Sequence, residues 1–191
     1  YKYDSSVEMG DLFDLKKSGY FYSRLQNPTC DTVAAKIAML EGGVAGMLTG
    51  SGQAANFYAI FNIAGAGDHI VSSTAIYGGT YNLFNVTLRK LGIEFTFVSP
   101  SATEEELAAA IRPNTKAIFG ETISNPSLEI LDIEKFARVA HKAGVPLIVD
   151  NTFATPINCR PFDFGCDIVT HSTTKYMDCL LYTSPSPRDC S

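Results

Sequence analysis

The sequence predicts an α/β domain built on a mainly parallel sheet with helices on both faces. Short apolar runs alternate with longer segments of helical period, the order expected of successive βα units. Runs such as Leu147-Ile148-Val149 and Ile168-Val169 are continuously apolar rather than alternating, as in strands buried on both sides. Polar residues gather where these runs end, and open parallel sheets bind their ligands at the carboxyl ends of their strands.

The elements follow in order. A first helix is expected near Ser6–Ser18, with Met9, Leu12, Phe13 and Lys16 at helical spacing and Gly19 as its stop. An extended polar segment, Tyr20–Pro28, leads to a helix starting near Thr29 or Asp31, with Val33, Ile37 and Leu40 on one face and Gly42-Gly43 at its end. Ala45–Thr49 reads as a short strand. A helix opens at Gly52 and runs to Gly65, turning Phe57, Ile60 and Phe61 inward. His69–Ser73 is a strand, Gly79–Leu91 a helix closed by Gly92, and Glu94–Ser99 a strand. Thr103 and Glu106 have capping-box spacing and start a helix that Pro113 stops. Lys116–Glu121 is a strand, Asp132–Ala143 a helix closed by Gly144, and Pro146–Asp150 and Asp167–His171 are strands.

With 191 residues, 46% hydrophobic and 18% charged, the chain can bury one real core, and disorder is excluded. A net charge of −5 with scattered basic residues argues against nucleic-acid binding. No apolar run reaches membrane-spanning length, and no leader pattern is present. The five cysteines form no CxxC pair, so neither a disulfide framework nor a metal site is expected, and a cytoplasmic setting is the simplest expectation.

The strand ends supply the candidate chemistry. Ser51-Gly52-Gln53, Ser72-Ser73, Glu121 with Asn125, Asp150-Asn151-Thr152 and His171-Ser172-Thr173-Thr174-Lys175 form one polar rim. An anion would suit the helix start at Gly52, with its free N–H groups and positive dipole end. Gly50-Ser51-Gly52-Gln53-Ala54-Ala55 also fits the G-x-G-x-x-A dinucleotide fingerprint, which alone would suggest a nicotinamide-dependent oxidoreductase. That fingerprint needs an acid at the end of the next strand, where this sequence has Ser72-Ser73. Lys175 tips the balance. A lysine usually reaches for solvent, but here a second strand end carries Asp150. An amine for a Schiff base and a carboxylate for a pyridinium nitrogen are what pyridoxal 5'-phosphate requires.

Six motifs then stand in order: Tyr22-Ser23-Arg24-Leu25-Gln26-Asn27-Pro28-Thr29, Ser51-Gly52-Gln53-Ala54-Ala55, Ile76-Tyr77-Gly78-Gly79-Thr80, Glu121-Thr122-Ile123-Ser124-Asn125-Pro126, Val149-Asp150-Asn151-Thr152-Phe153 and His171-Ser172-Thr173-Thr174-Lys175-Tyr176. Through them residues 1–178 resemble the cystathionine-synthase-like pyridoxal-phosphate enzymes of cysteine and methionine metabolism. The resemblance implies the aspartate-aminotransferase type of fold (fold type I). It makes Lys175 the cofactor-bound catalytic lysine and Asp150 the partner of the ring nitrogen, with Thr152 beside it. Gly52, Gln53, Ser172 and Thr174 would bind the phosphate. Tyr77 would stack on the ring and take part in proton transfer, and Asn125 would bond the ring hydroxyl. Tyr22 and Arg24 would reach the phosphate of a neighbouring subunit, so a homo-oligomer built from dimers, a tetramer at full length, is implied.

Within the family, Gln53 and the wording at Asp150–Pro156 and Lys175–Asp178 resemble the branch that acts on O-acetylhomoserine. That implies γ-replacement by sulfide or a thiol, giving homocysteine or methionine plus acetate, with γ-lyase or cystathionine γ-synthase chemistry as the alternative. A free lysine amine is then needed at neutral pH, which desolvation in the cleft would favour. On this reading residues 1–30 are part of an N-terminal arm and 31–178 the truncated large domain. The Ser/Pro-rich stretch 179–191 reads as a non-native tail, and the C-terminal domain with its substrate-binding arginine is expected to be missing, leaving the fragment inactive.

Overall fold

The structure, a computed structural model, describes residues 1–177. It contains two compact units that divide between Leu48 and Thr49. The expectation for the tail falls outside the described residues.

The first unit holds α1 (Ser6–Phe13) and α2 (Pro28–Glu41). Ser5 caps α1 by accepting the Glu8 N–H. The helix stops at Phe13, well before Gly19, because the chain turns through Leu15 in the left-handed region at φ 57°. Of the expected apolar stripe only Leu12 is buried. Pro28 occupies the first position of α2, where its missing N–H costs nothing, and Asn27 Oδ1 takes the Thr29 N–H at 3.0 Å. Gly42, at φ 78°, closes the helix as expected. The buried face is Ala34, Ala38 and Glu41, one position round from the predicted Val33 and Leu40, which are exposed. The returning chain comes close to this face, so position 46 must be glycine: a Cβ there would lie 2.7 Å from the Ala34 carbonyl oxygen. This return also explains why Ala45–Thr49 is not a strand. Among the described residues the segment has no lateral partner to complete a ladder.

The second unit carries a five-stranded parallel sheet, in the order β2 (Glu94–Val98), β1 (His69–Ser73), β3 (Thr115–Glu121), β4 (Leu147–Asp150), β5 (Ile168–Thr170). Alternation along each strand divides the apolar residues between two cores. Val71, Ile118, Leu147 and Val149 pack with Leu107 of α5 (Glu104–Ala109) and with Ile133, Phe136 and Ala140 of α6 (Ile133–Lys142). Ile70, Ala117, Phe119 and Ile148 face the other way. They pack with Ile60 of α3 (Gly52–Phe61) and with Phe84 and Leu88 of the π-helical turn Leu83–Leu88 that continues α4 (Gly78–Asn82). Helices therefore cover both faces, as predicted.

Several helix ends differ from expectation. α3 ends at Phe61 rather than Gly65, and Phe61 is exposed. α5 has its predicted capping box at Thr103 and Glu106 but ends four residues before Pro113. α7 (Thr155–Asn158) and a 3₁₀ turn at Pro161–Phe164 lie between β4 and β5, where no element was expected. The register sets Glu121 beside Asp150 and Asp150 beside Thr170, so the three strand ends open on one rim. Among the described residues no helix is long and apolar enough to cross a membrane.

Candidate active site

That rim borders a cleft of about 510 Å³, lined by Gly50 to Gln53, Tyr77, Glu121, Ile123, Asn125, Asp150, Thr152, Phe153, Ser172, Thr174 and Lys175. Its volume is that of a small-molecule site.

One end is the first turn of α3. Ser51 Oγ accepts the Ala54 N–H at 3.0 Å and the Ser51 carbonyl takes the Ala55 N–H, which leaves the Gly52 and Gln53 amides without an intrahelical acceptor. The absence of a side chain at position 52 is a matter of space: a Cβ there would stand 2.6 Å from Ser172 Cβ and 3.2 Å from its Oγ. Glycine thus lets two backbone N–H groups and the Ser172 hydroxyl converge on one small volume, which Thr174 also borders. Helix dipole and free amides both favour an anion there.

The other end is built around Asp150. Its Oδ1 accepts the Thr152 backbone N–H at 3.0 Å and a short hydrogen bond from the Thr152 hydroxyl, and its Oδ2 accepts from Asn56 Nδ2 at 3.0 Å. Thr152 Oγ1 in turn takes the Ser172 N–H at 2.8 Å. The loops after β4 and β5 are tied together through that one hydroxyl.

Glu121, buried at the end of β3, takes the Tyr77 N–H on Oε1 at 2.7 Å and the Asn125 N–H on Oε2 at 3.4 Å. It fixes the main chain of two predicted site residues. Burial pushes its carboxyl up to about 7; the charge of Asp150 adds to this, and the two N–H donors oppose it. Tyr77 leaves its ring at the cleft, close over Gly79, where a Cβ would meet Tyr77 Cε1 at 2.4 Å.

Lys175 lines the cleft, but from a turn five residues past the end of β5 rather than from the strand itself, with its N–H donated to the Ser172 carbonyl at 3.2 Å. Its side chain is exposed, so the described residues do not supply the desolvation anticipated for it. Tyr22 and Arg24 belong to the first unit, where the guanidinium lies 4.9 Å from the centre of the Tyr22 ring. Ser72 and Ser73, predicted on the rim, are buried and do not line the cleft. The dinucleotide reading loses its remaining support, because no strand precedes Gly50.

Two participants were missed. Asn56 is buried on α3 beside Ile60, and Thr80 is buried on α4. The only sequence signal for Asn56 was an amide four residues after Gly52 and four before Ile60, on a helix face otherwise apolar.

The fold and cleft together define a parallel α/β domain whose strand-end cleft joins free helix-start amides, an oriented carboxylate and an amine. Comparison carries this to a family. Residues 1–179 match the family of Cys/Met metabolism PLP-dependent enzymes, and the chain belongs to it. It is 50% identical over 174 residues to an O-acetyl-L-homoserine sulfhydrylase of Corynebacterium glutamicum, with 91% of this chain and 40% of the relative covered. It is 52% identical over 169 residues to a homocysteine synthase of Schizosaccharomyces pombe, covering 88% of this chain and 39% of the relative. A crystal structure described as an O-acetylhomoserine (thiol)-lyase of Campylobacter jejuni, containing N'-pyridoxyl-lysine-5'-monophosphate, superposes with a TM-score of 0.87 at 42% identity. That match covers 92% of this chain and 43% of the solved one. The chain spans about two fifths of the length of these relatives.

The donor set suits the family's cofactor. The free amides at the start of α3 and the Ser172 hydroxyl are groups of the kind that would hold a phosphate, and Asp150 and Lys175 offer a carboxylate and an amine to the same cleft.

Proposed function

We propose that this chain is the cofactor-binding part of a pyridoxal-phosphate-dependent transferase. The reaction is γ-replacement on O-acetyl-L-homoserine by sulfide or a thiol, with homocysteine or methionine and acetate as products. The observation that carries the reading is the convergence of Lys175, Asp150 and the α3 amide seat on one cleft, in a chain about half identical to a sulfhydrylase and a homocysteine synthase.

Pyridoxal phosphate, when bound, supplies an electron sink for negative charge formed beside the substrate amine. The residues of this chain do the rest. Gly52 and Gln53 N–H groups with the Ser172 and Thr174 hydroxyls would hold the phosphate. Asp150, turned by Asn56 and Thr152, would accept a hydrogen bond from the ring nitrogen. Asn125 would bond the ring hydroxyl, and the Tyr77 ring would limit the ring's tilt and place its own hydroxyl for proton transfer. Lys175 Nζ is the amine that would anchor the cofactor covalently. Once freed, it would take a proton from the substrate Cα and carry it to and from Cβ while acetate leaves Cγ and the sulfur nucleophile adds there. Tyr22 and Arg24 would serve the site of a neighbouring subunit, since a guanidinium can grip two phosphate oxygens at once. That role implies a homo-oligomer working on a small amino acid and a small sulfur nucleophile.

The test uses a chain of the relatives' full length. Cofactor binding should give a visible absorption band, borohydride should fix the label, and the labelled peptide should contain Lys175. The protein should then form homocysteine from O-acetylhomoserine and sulfide. Labelling of another lysine, or elimination with no uptake of sulfide, would overturn the reading.

A further inference from the structure

Asn56 is nowhere near Asp150 in sequence, yet its side chain reaches that carboxylate from outside the Asp150–Thr152 turn and bonds to it. Its amide is fixed at both ends. Oδ1 accepts the Thr170 hydroxyl at 2.6 Å, so Nδ2 faces Asp150 Oδ2 at 3.0 Å. A reversed amide would set its oxygen against the carboxylate, which a charged Asp150 forbids. Nδ2 also lies 3.4 Å from Thr80 Oγ1, which accepts Gln53 Nε2 at 3.0 Å. One buried amide therefore joins α3, α4 and the ends of β4 and β5. Glu121 brings a second carboxylate beside Asp150 but makes no such bond to it; both its oxygens go to backbone N–H groups.

We infer that Asn56 is a positioning residue for the ring-nitrogen end of the site: its N–H turns Asp150 and holds it as a hydrogen-bond acceptor toward the cofactor. The inference rests on the proposed placement of pyridoxal phosphate with its ring nitrogen at Asp150. Leucine at position 56 would keep the branched outline, in a larger volume, but has no donor, leaving Oδ2 without its partner. Aspartate would keep the shape but set a second carboxylate within hydrogen-bond distance. Such a pair cannot both ionise, so Asp150 would share a proton and lose acceptor strength.

The test compares two ligands on the full-length protein: pyridoxal phosphate, and its analogue with carbon in place of the ring nitrogen. Both keep the phosphate and the aldehyde, so the ratio of their dissociation constants isolates the contact with Asp150. Asn56→Asp and Asn56→Leu should each lower the preference for the natural cofactor by about tenfold, the worth of one hydrogen bond to a charged group. Binding of the carbon analogue should stay near the wild-type level. Thermal unfolding identifies a variant that does not fold, and the other then decides. If a folded variant weakens both ligands equally, or leaves the ratio alone, Asn56 is only a packing residue and the inference fails. Asp150→Asn separates this failure from a wrong placement of the cofactor. With a correct placement it lowers the ratio whatever Asn56 does; with a wrong one, the ratio does not move in any variant.

Discussion

Replacing Gly52 by alanine should damage cofactor binding out of proportion to its effect on stability. The new Cβ would sit 2.6 Å from Ser172 Cβ and 3.0 Å from its Cα. Reaching an ordinary contact means a shift of roughly 1 Å in either the start of α3 or the backbone at Ser172, and such overpacking costs about 1–3 kcal/mol. Alanine's better helix propensity returns up to about 1 kcal/mol of that, so the net loss of stability should be small. The anion seat fares worse, since its N–H groups and the Ser172 hydroxyl must converge. Each hydrogen bond to a charged group is worth about 1.5–3 kcal/mol, and misplacing one of them weakens phosphate binding by roughly tenfold to a hundredfold. Gly50, two residues earlier, is the internal control, because an added Cβ there meets nothing within 4 Å. The assay is titration of each variant with pyridoxal phosphate, followed by visible absorption, alongside a thermal melt. Wild-type affinity in Gly52→Ala, or an equal loss in Gly50→Ala, would refute the steric account of the seat.

Two further outcomes are expected. Because the Glu121 carboxyl is raised from 4.5 to about 7 in the folded state, ionising it opposes folding. That penalty is absent below pH 4.5, grows as pH rises and is complete above about 7, where it is on the order of 3 kcal/mol. Glu121→Gln should therefore gain stability relative to wild type between pH 5 and pH 8 in denaturant titrations; a constant difference across that range would count against a buried, charged Glu121. Mixing full-length Lys175→Ala with Arg24→Ala under conditions of subunit exchange should restore activity in sites that draw the intact residue from each chain. No recovery, with exchange shown independently, would mean that Arg24 does not act on a neighbouring subunit.

How much of this was legible in the sequence depended on how local the determining interaction is. Asp150 and Glu121 were readable because a polar residue ending a continuous apolar run has to lie on the rim of a parallel sheet. Lys175 was readable only with Asp150 as its counterpart, and its setting on a turn beyond β5 was not. The bonds that orient the site were hidden because they span the chain: Asn56 meets Asp150 across 94 residues, and no periodicity reports that. Asn56 was masked besides by Phe57, Ile60 and Phe61, which promised an ordinary apolar face. Ala45–Thr49 failed for the converse reason. Its composition suits a strand, but composition cannot supply the neighbour that a ladder needs. On α2 the larger residues Val33 and Leu40 drew the predicted face toward themselves, whereas the face that is buried, and that the chain at Gly46 approaches, is the one carrying Ala34 and Ala38.

The Thr152 hydroxyl has one proton, and it is already committed. Its oxygen receives the Ser172 N–H, so the proton goes to Asp150 and the bond has a single direction. The two ends of the cleft are thus linked twice, through this oxygen and through the Asn56 amide of α3, so slack at the anion seat reaches the carboxylate by either route. A serine at position 152 would preserve both links, whereas a valine of the same shape would cut the one that runs through the hydroxyl and leave Asp150 held by Asn56 and by the N–H of residue 152.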